Sequence, residues 1–286
     1  MNKEASSVFE TGDARSGAER ITAAVARANA AGRPAIAAFL TAGFPTRGDF
    51  AGFLASAVSE ADLVEVGVPF SDPMADGLTI QRSSRKALED GTTLPWILET
   101  VARVAGEGRG RAPVLLMSYL NPIMAHGFER LAADAAKNGV AGLIVPDLPL
   151  EEASELRSVL DAQGIALVQL VTPATPPARL ERVCAASRGF VYAVTMKGTT
   201  GASVDVGSAG DYLRRVRRVS PLPVLAGFGV RSASDVASLG RFADGVIVGS
   251  ALVEAVEQGQ DPATFVRGLR EEEAVSRSLS WRRARP

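Results

Sequence analysis

The chain has 286 residues, 47% of them hydrophobic and 22% charged, with a formal net charge of −1 at pH 7. This composition is typical of a globular protein with one large or two small domains. The near-zero charge argues against nucleic acid or an anionic membrane as a partner. The single cysteine, Cys184, excludes an internal disulfide, and the single histidine, His126, argues against a histidine-based zinc site.

The two ends of the chain differ in composition from the rest. Residues 1–16 are polar and lack the apolar core of a signal peptide, so we predict a disordered extension and a cytoplasmic protein. No segment reaches the length and apolarity of a membrane span. Residues 275–286 are arginine-rich and are predicted to form a solvated tail, which leaves residues 17–274 as a single domain.

Apolar, β-branched runs of strand length recur eight times in that domain and alternate with helical patterns. The predicted strands are residues 35–41, 63–68, 114–118, 142–145, 166–171, 190–195, 223–226 and 245–248. The predicted helices are residues 49–59, 94–105, 128–138, 151–163, 177–186, 208–219, 232–239 and 250–258. This alternation predicts an α/β fold, a (β/α)8 TIM barrel, with an additional N-terminal helix. A doubly wound open sheet is the alternative, but no Gly-x-Gly-x-x-Gly turn follows the first strand.

An acidic residue interrupts the second predicted strand. Glu65 lies between Val64 and Val66, and a carboxylate buried in a strand is costly unless it is paired or protonated. The loop that follows carries two more acids, Asp72 and Asp76. Because barrels of this kind carry their chemistry on the loops after the strands, this pattern predicts an active site at Glu65 and the second loop.

Glycine-rich turns follow predicted strands seven and eight. Residues 227–229 read GFG and residues 249–250 read GS, each directly before a helix. Small residues let backbone N–H groups approach an anion, and helix N-termini favour negative charge. Tight turns alone would also explain the glycines, but two such turns on the strands where barrels bind phosphate favour a phosphate site. Arg231 is either a contact for that phosphate or a solvated charge at the helix start.

The loop after predicted strand six places two glycines among small hydroxyl residues. Residues 196–203 read MKGTTGAS, and Thr200 lies at their centre. This composition is typical of a flap that closes over a phosphorylated substrate. The alternative is a loose loop without a function.

These segments together resemble the alpha chain of tryptophan synthase, from about residue 16 to residue 269. The most specific match is residues 65–77, which read EVGVPFSDPMADG. Supporting matches are FLTAG at 39–43, NP at 121–122, VPDLP at 145–149, and the two turns GFG and GS. The resemblance implies cleavage of indole-3-glycerol phosphate into indole and glyceraldehyde 3-phosphate, in tryptophan biosynthesis, without a metal or an organic cofactor.

The resemblance also implies roles for individual residues. Glu65 matches the general acid–base carboxylate, and Asp76 matches the carboxylate that holds the indole N–H. Thr200 matches the flap threonine that reaches toward Asp76 when the flap closes. The residues expected to bind substrate are Phe39, Tyr192, Thr200, Gly201, Gly227, Phe228, Gly229, Gly249 and Ser250.

A partner subunit is implied in the same way. Members of the family work with a tryptophan synthase beta subunit in an α2β2 heterotetramer. Asp72 and Pro73 match the loop that meets that subunit, and Asn121 is a further candidate contact. Turn formation alone would also explain Asn121 and the proline after it.

The flap departs from the pattern of the family, which reads Ser-Arg-x-Gly-Val-Thr-Gly. Met196 stands at the arginine position, with Lys197 beside it, and lysine does not replace arginine at a bidentate contact. A stand-alone lyase that releases free indole is therefore one alternative. A catalytically degenerate barrel that regulates a beta subunit, and another phosphosugar enzyme, are the others, although intact Glu65, Asp76 and Thr200 argue against the degenerate barrel.

Overall fold

The computed structural model of the chain describes residues 15–105, 112–195, 206–227 and 229–276. Residues 1–14 of the predicted extension and residues 277–286 of the predicted tail lie outside these ranges, so both stay predictions.

The described residues form a closed barrel of eight parallel strands, each paired with the next in chain order and the eighth with the first. The strands are β1 (Ala35–Thr41), β2 (Leu63–Gly67), β3 (Val114–Met117), β4 (Gly142–Ile144), β5 (Ala166–Val171), β6 (Val191–Val194), β7 (Val224–Gly227) and β8 (Gly245–Val248). The predicted (β/α)8 barrel is confirmed, and every predicted strand end lies within one residue of the observed one.

Helices precede the barrel and follow each strand. They are α1 (Gly17–Ala30), α2 (Arg47–Glu60), α3 (Leu78–Glu89), α4 (Leu94–Ala105), α5 (Leu120–His126), α6 (Phe128–Lys137), α7 (Ser154–Ala162), α8 (Pro177–Ala186), α9 (Val206–Val219), α10 (Ala233–Gly240), α11 (Ser250–Glu257) and α12 (Pro262–Ser276). Within the described ranges, no helix combines the length and apolarity needed to cross a membrane.

The sequence analysis missed α3, α5 and α12. In α3 the buried positions are Ile80, Ser83, Ser84 and Ala87, so two serines interrupt the apolar stripe that periodicity detects. Helix α5 has only seven residues, and the proline in its first turn is equally typical of a loop. Both helices follow strands whose carboxyl ends form the top of the barrel, so they shape the loops where chemistry is expected.

Apolar side chains from all eight strands fill the interior of the barrel. The strand residues of this apolar cluster include Ala35, Ala37, Leu63, Leu115, Ile144, Ala166, Val168, Tyr192, Leu225 and Ile247. Side chains of α1 belong to the same cluster as the first residues of β1, β2 and β5. The predicted N-terminal helix therefore closes the amino-terminal end of the barrel and leaves the carboxyl end open.

Helix α1 is fixed at its start by the sequence itself. Ser16 and Glu19 form a capping box, in which each side chain accepts from the backbone N–H of the other residue. Gly17 donates its N–H to the Gly164 carbonyl at 2.7 Å. A Cβ at Gly17 would lie 1.9 Å from the Ala141 carbonyl oxygen, so only glycine lets the helix start this close to the barrel.

We predict that Ile21→Ala lowers the free energy of unfolding by about 3 kcal/mol, because it leaves a cavity in a fully buried contact. Ile21 is 0% exposed, and a Cβ on Gly142 or Gly189 would come within 3.1 or 3.0 Å of its side chain. Urea denaturation measures the change. Arg27→Ala, on the exposed face of the same helix, should change the value by no more than about 0.5 kcal/mol. Equal effects of both substitutions would contradict a plug formed by α1.

Candidate active site

Glu65 lies inside the barrel, as predicted from its position in an apolar strand. Its register neighbours are Phe39 on β1 and Leu115 on β3, and its side chain is 0% exposed. Neither carboxyl oxygen has a hydrogen-bond partner among the described residues. Burial alone raises the pKa of Glu65 from 4.5 to about 8. The carboxyl is therefore protonated and uncharged at neutral pH, and it can deliver a proton.

Asp76 occupies a wetter environment on the loop between β2 and α3. It is half-buried, and its backbone carbonyl accepts a hydrogen bond from the Gln81 side chain at 2.8 Å, which ties the loop to the first turn of α3. Burial raises the pKa of Asp76, and a hydrogen bond from the Tyr119 hydroxyl partly opposes that rise. The two carboxyls thus differ in environment: Glu65 is fully buried without a hydrogen-bond partner among the described residues, and Asp76 is half-buried and hydrogen-bonded. The first environment suits a proton donor, and the second suits a carboxylate that stabilises a positive charge.

Tyr119 is a site residue that the sequence analysis missed. It follows the end of β3 and is buried, with its ring 5.2 Å from the ring of Phe70. Its hydroxyl accepts a hydrogen bond from the Ala75 N–H at 2.9 Å. Burial, followed by the neighbouring Asp76 carboxylate, raises the pKa of Tyr119. Its position directly after a barrel strand was the available signal, since polar groups at strand ends line the active face.

Two aromatic rings lie over strand glycines at the top of the barrel. A Cβ on Gly67 would meet the Phe39 ring at 2.4 Å, and a Cβ on Gly227 would meet the Tyr192 ring at 2.3 Å. Burial raises the pKa of Tyr192 well above its ordinary value, and the Glu65 and Asp76 carboxyls raise it further. The predicted binding residues Phe39 and Tyr192 therefore lie beside the two carboxyls. Gly227 makes room for the Tyr192 ring.

One cavity joins the carboxyls to the loops after β7 and β8. Among its lining residues are Phe39, Glu65, Asp76, Met117, Tyr192, Gly229, Arg231, Gly249, Ser250 and Glu254. Gly227 is not among the described lining residues, although the sequence analysis predicted it as a binding residue. The cavity has an apolar part at the ring of Phe39 and a polar part at the start of α11.

The two helix starts at the polar end differ in their caps. At α10, the Asp235 carboxylate accepts from the backbone N–H groups of Arg231 and Ser232 at 3.0 and 2.9 Å. At α11, Gly249 makes no side-chain cap and the first turn holds no acid. An incoming anion therefore meets a negative charge at α10 and a positive helix end at α11. Of the two turns from which one phosphate site was predicted, the start of α11 at Gly249 and Ser250 is therefore the more favourable position for the anion.

The predicted partner residues lie on the rim around this cavity. Asp72, on the loop after β2, is exposed, Pro73 is half-exposed, and Asn121 is exposed in the first turn of α5. The Asp147 carboxylate, on the loop after β4, accepts from the Leu120 N–H at 2.9 Å and fixes the start of α5. The rim thus combines loops from three strands.

Exposed apolar side chains accompany these residues on the rim. Met74 and Leu78 are each 82% exposed, and Met124 on α5 is 60% exposed. Large apolar side chains that are exposed together are typical of a surface that binds another protein. The sequence analysis did not single them out, because Met74 lies in a loop and Leu78 and Met124 belong to α3 and α5, two of the helices that it missed.

Other predicted residues lie outside the described ranges. They are Thr200, Gly201 and Phe228, together with Met196 and Lys197 of the altered flap. Their roles stay predictions. Among the residues that the structure does describe, no group of three histidine, cysteine, aspartate or glutamate side chains could hold a metal ion.

Comparison with known proteins identifies the family. A family model described as tryptophan synthase alpha chain matches residues 25–279. The tryptophan synthase alpha chain of Nitratidesulfovibrio vulgaris is 45% identical over 256 residues, which cover 89% of this chain and 99% of that one. The corresponding chain of a Roseiflexus species is 46% identical over 260 residues, with 88% and 99% covered.

Solved structures agree with this assignment. Tryptophan synthase from M. tuberculosis, in an aminoacrylate-bound form, contains a chain with a TM-score of 0.79 and 34% identity, covering 87% of this chain and 97% of that chain. The tryptophan synthase alpha chain from Legionella pneumophila has a TM-score of 0.80 and 30% identity, with 91% and 99% covered. The chain therefore belongs to the tryptophan synthase alpha chain family, which confirms the resemblance and makes it a carbon–carbon lyase of tryptophan biosynthesis.

Proposed function

We propose that the cavity at the top of the barrel cleaves indole-3-glycerol phosphate into indole and glyceraldehyde 3-phosphate, with Glu65 as acid and base. The observation that carries this proposal is the uncharged carboxyl of Glu65, which shares one cavity with the half-buried Asp76 and the uncapped start of α11. The cleavage requires a buried acid to transfer a proton, a second carboxylate to stabilise positive charge, and an anion site to bind the phosphate.

The first step is the transfer of the Glu65 proton to carbon C3 of the indole ring. Protonation there leaves a positive charge on the ring nitrogen, whose N–H faces the Asp76 carboxylate. Charge stabilisation of this kind is strong in a site that excludes water. The walls formed by Phe39, Met117 and Tyr192 supply an apolar environment for the ring.

The second step breaks the carbon–carbon bond. The Glu65 carboxylate, now ionised, removes the proton of the glycerol hydroxyl beside the ring. The bond to C3 breaks, its electron pair neutralises the ring, and the hydroxyl carbon becomes an aldehyde. One proton has been given and one taken, so Glu65 returns to its starting state. The phosphate stays at Gly249 and Ser250 throughout and anchors the substrate.

We also propose that the rim binds a tryptophan synthase beta subunit, in an α2β2 assembly. The exposed Met74, Leu78 and Met124 support this proposal, because they place apolar area next to Asp72, Pro73 and Asn121. Indole is apolar and crosses membranes, so direct transfer to a partner prevents its loss. A cytoplasmic location for the assembly stays a prediction.

Indole release from indole-3-glycerol phosphate tests the proposed function. The purified chain should release indole slowly alone and much faster with a matching beta subunit. Fast release that ignores the beta subunit would favour the stand-alone lyase. No release under either condition would contradict the proposed reaction and leave a regulatory barrel or another phosphosugar substrate.

We predict that Glu65→Gln lowers kcat by about 1,000-fold or more and changes KM by less than about threefold, because glutamine keeps the shape but carries no transferable proton. Steady-state indole release measures both constants. Glu99→Gln is the matched control, since Glu99 is exposed on α4 and should leave both constants unchanged. Equal losses in kcat and in substrate affinity would argue against an acid–base role for Glu65.

We predict a bell-shaped pH profile of kcat/KM. Glu65 must hold its proton to start the reaction, so activity falls as pH rises through about 8. Asp76 must be ionised, so activity also falls as pH drops below its raised pKa. Tyr119→Phe removes a hydrogen bond that lowers the pKa of Asp76, and should therefore move the acidic limb to higher pH while the alkaline limb stays in place.

The control for Tyr119→Phe is Tyr212→Phe. The Tyr212 hydroxyl is buried and has no hydrogen-bond partner among the described residues, so the control removes the same atom outside the cavity. Both limbs should then match those of the unaltered protein. An acidic limb that Tyr119→Phe leaves unmoved would contradict the coupling between Tyr119 and Asp76.

A further inference from the structure

A charged pair borders the anion end of the cavity. The Arg231 guanidinium donates from Nη2 to Glu254 Oε2 at 2.6 Å, and both residues line the cavity with Gly249 and Ser250. The Thr79 hydroxyl, on α3, donates to the other oxygen of Glu254 at 2.9 Å. Three segments that follow three different strands thus fix one carboxylate and one guanidinium beside the start of α11.

Glu254 is an unusual neighbour for a bound phosphate. It lies four residues after Ser250, so it lies one turn along the same face of α11. The hydrogen bond from Arg231 is the main cause that lowers the pKa of Glu254, so this carboxylate stays ionised at neutral pH. The Glu254 carboxylate and a phosphate at the start of α11 would repel each other unless a cation lies between them.

Arg231 is placed to be that cation. Its Nη2 donates a hydrogen bond to Glu254. A guanidinium has five N–H donors in a planar fork that suits phosphate oxygens, so a phosphate could also be bound. Its side chain is 57% exposed, against 32% for Glu254, so an incoming anion can reach the guanidinium from the cavity mouth. Its backbone N–H is held by Asp235, which fixes where the side chain begins.

We infer that Arg231 is a ligand for the phosphate monoester of the substrate. Glu254 pairs with Arg231 before the substrate binds, so the Glu254 carboxylate and the phosphate compete for the guanidinium. The inference rests on the proposed function, which supplies the phosphate ester. Glu254 then has two opposite effects: it keeps the guanidinium at the start of α11, and it weakens binding by competition and repulsion. The competition makes the phosphate affinity of the site lower than Arg231 and the positive start of α11 would give without Glu254.

A second ion pair on the same helices serves as a control. Arg82 on α3 and Glu257 on α11 are paired in the same way, with exposures of 59% and 39%. Neither is among the described residues that line the cavity. Pairs this exposed contribute little to stability. Substitutions at Arg231, Glu254 or Arg82 should therefore leave the fold intact, and their effects on binding can be compared directly.

The test is calorimetric titration of glycerol 3-phosphate, with the KM and kcat for indole-3-glycerol phosphate measured on the same proteins. Arg231→Met should weaken binding and raise KM by about tenfold, as loss of one charged hydrogen bond implies, with kcat changed by less than about twofold. Glu254→Gln should tighten binding several-fold. Arg82→Met should change neither affinity nor KM.

The decisive comparison is Arg231→Met made in the Glu254→Gln background. If Arg231 contacts the phosphate, a clear loss of affinity persists there, because the contact itself does not require a charge on residue 254. If the loss disappears, Arg231 acts only by neutralising Glu254, and the inference is overturned. Weaker binding by Glu254→Gln, or no effect of Arg231→Met, would overturn it as well.

Failure of the inference can be told apart from failure of the proposed function. An unaltered protein that cleaves indole-3-glycerol phosphate, with an unchanged KM in Arg231→Met, overturns the role of Arg231 alone. An unaltered protein that neither cleaves the substrate nor binds glycerol 3-phosphate overturns both.

Discussion

The buried carboxyl of Glu65 is the constraint on which the rest of the site depends. A charged carboxylate in a closed barrel, with no hydrogen-bond partner among the described residues, would cost several kcal/mol, so the group stays protonated instead. The unfolded chain loses this proton above pH 4.5, whereas the folded chain keeps it to about pH 8. The free energy of unfolding therefore falls as pH rises from 4.5 to about 8. The folded protein is less stable at physiological pH as a result, but Glu65 is a neutral acid there.

The two ends of the barrel contribute differently: the amino-terminal end supplies buried apolar area, and the carboxyl end carries the site. At the amino-terminal end, α1 fills the opening with apolar side chains such as Ile21, and that burial offsets what Glu65 costs. At the carboxyl end, glycines replace side chains where rings must lie, so Tyr192 covers Gly227 and stands beside both carboxyls. The same end leaves α11 without a side-chain cap, because its N-cap residue, Gly249, has no side chain.

Much of this arrangement could be predicted from the sequence. Strands buried on both faces have continuous apolar runs, so their bounds were found within one residue, and Glu65 stood out as the exception to such a run. Helix α3 was missed because Ser83 and Ser84 are buried in it, which periodicity reads as polar. The contact of Tyr119 with Asp76 joins segments distant in the sequence, so its place after β3 was the only local signal. The closure of α10 by Asp235 follows a Ser-x-x-Asp capping pattern at residues 232–235, which was not used. The sequence also left open whether Arg231 contacts the phosphate or is a solvated charge. Its ion pair with Glu254, a residue distant in the sequence, was needed to argue for the contact.

The most direct test of this account is the titration of the Glu65 carboxyl itself. Infrared difference spectra of the substrate-free protein, with Glu65→Gln as the reference that removes the band, follow the protonated carboxyl as pH is raised. The protonated band should persist at pH 7 and disappear as the pH is raised through about 8. Disappearance near the ordinary value of 4.5 would show an ionised Glu65 at neutral pH and would contradict its role as the proton donor.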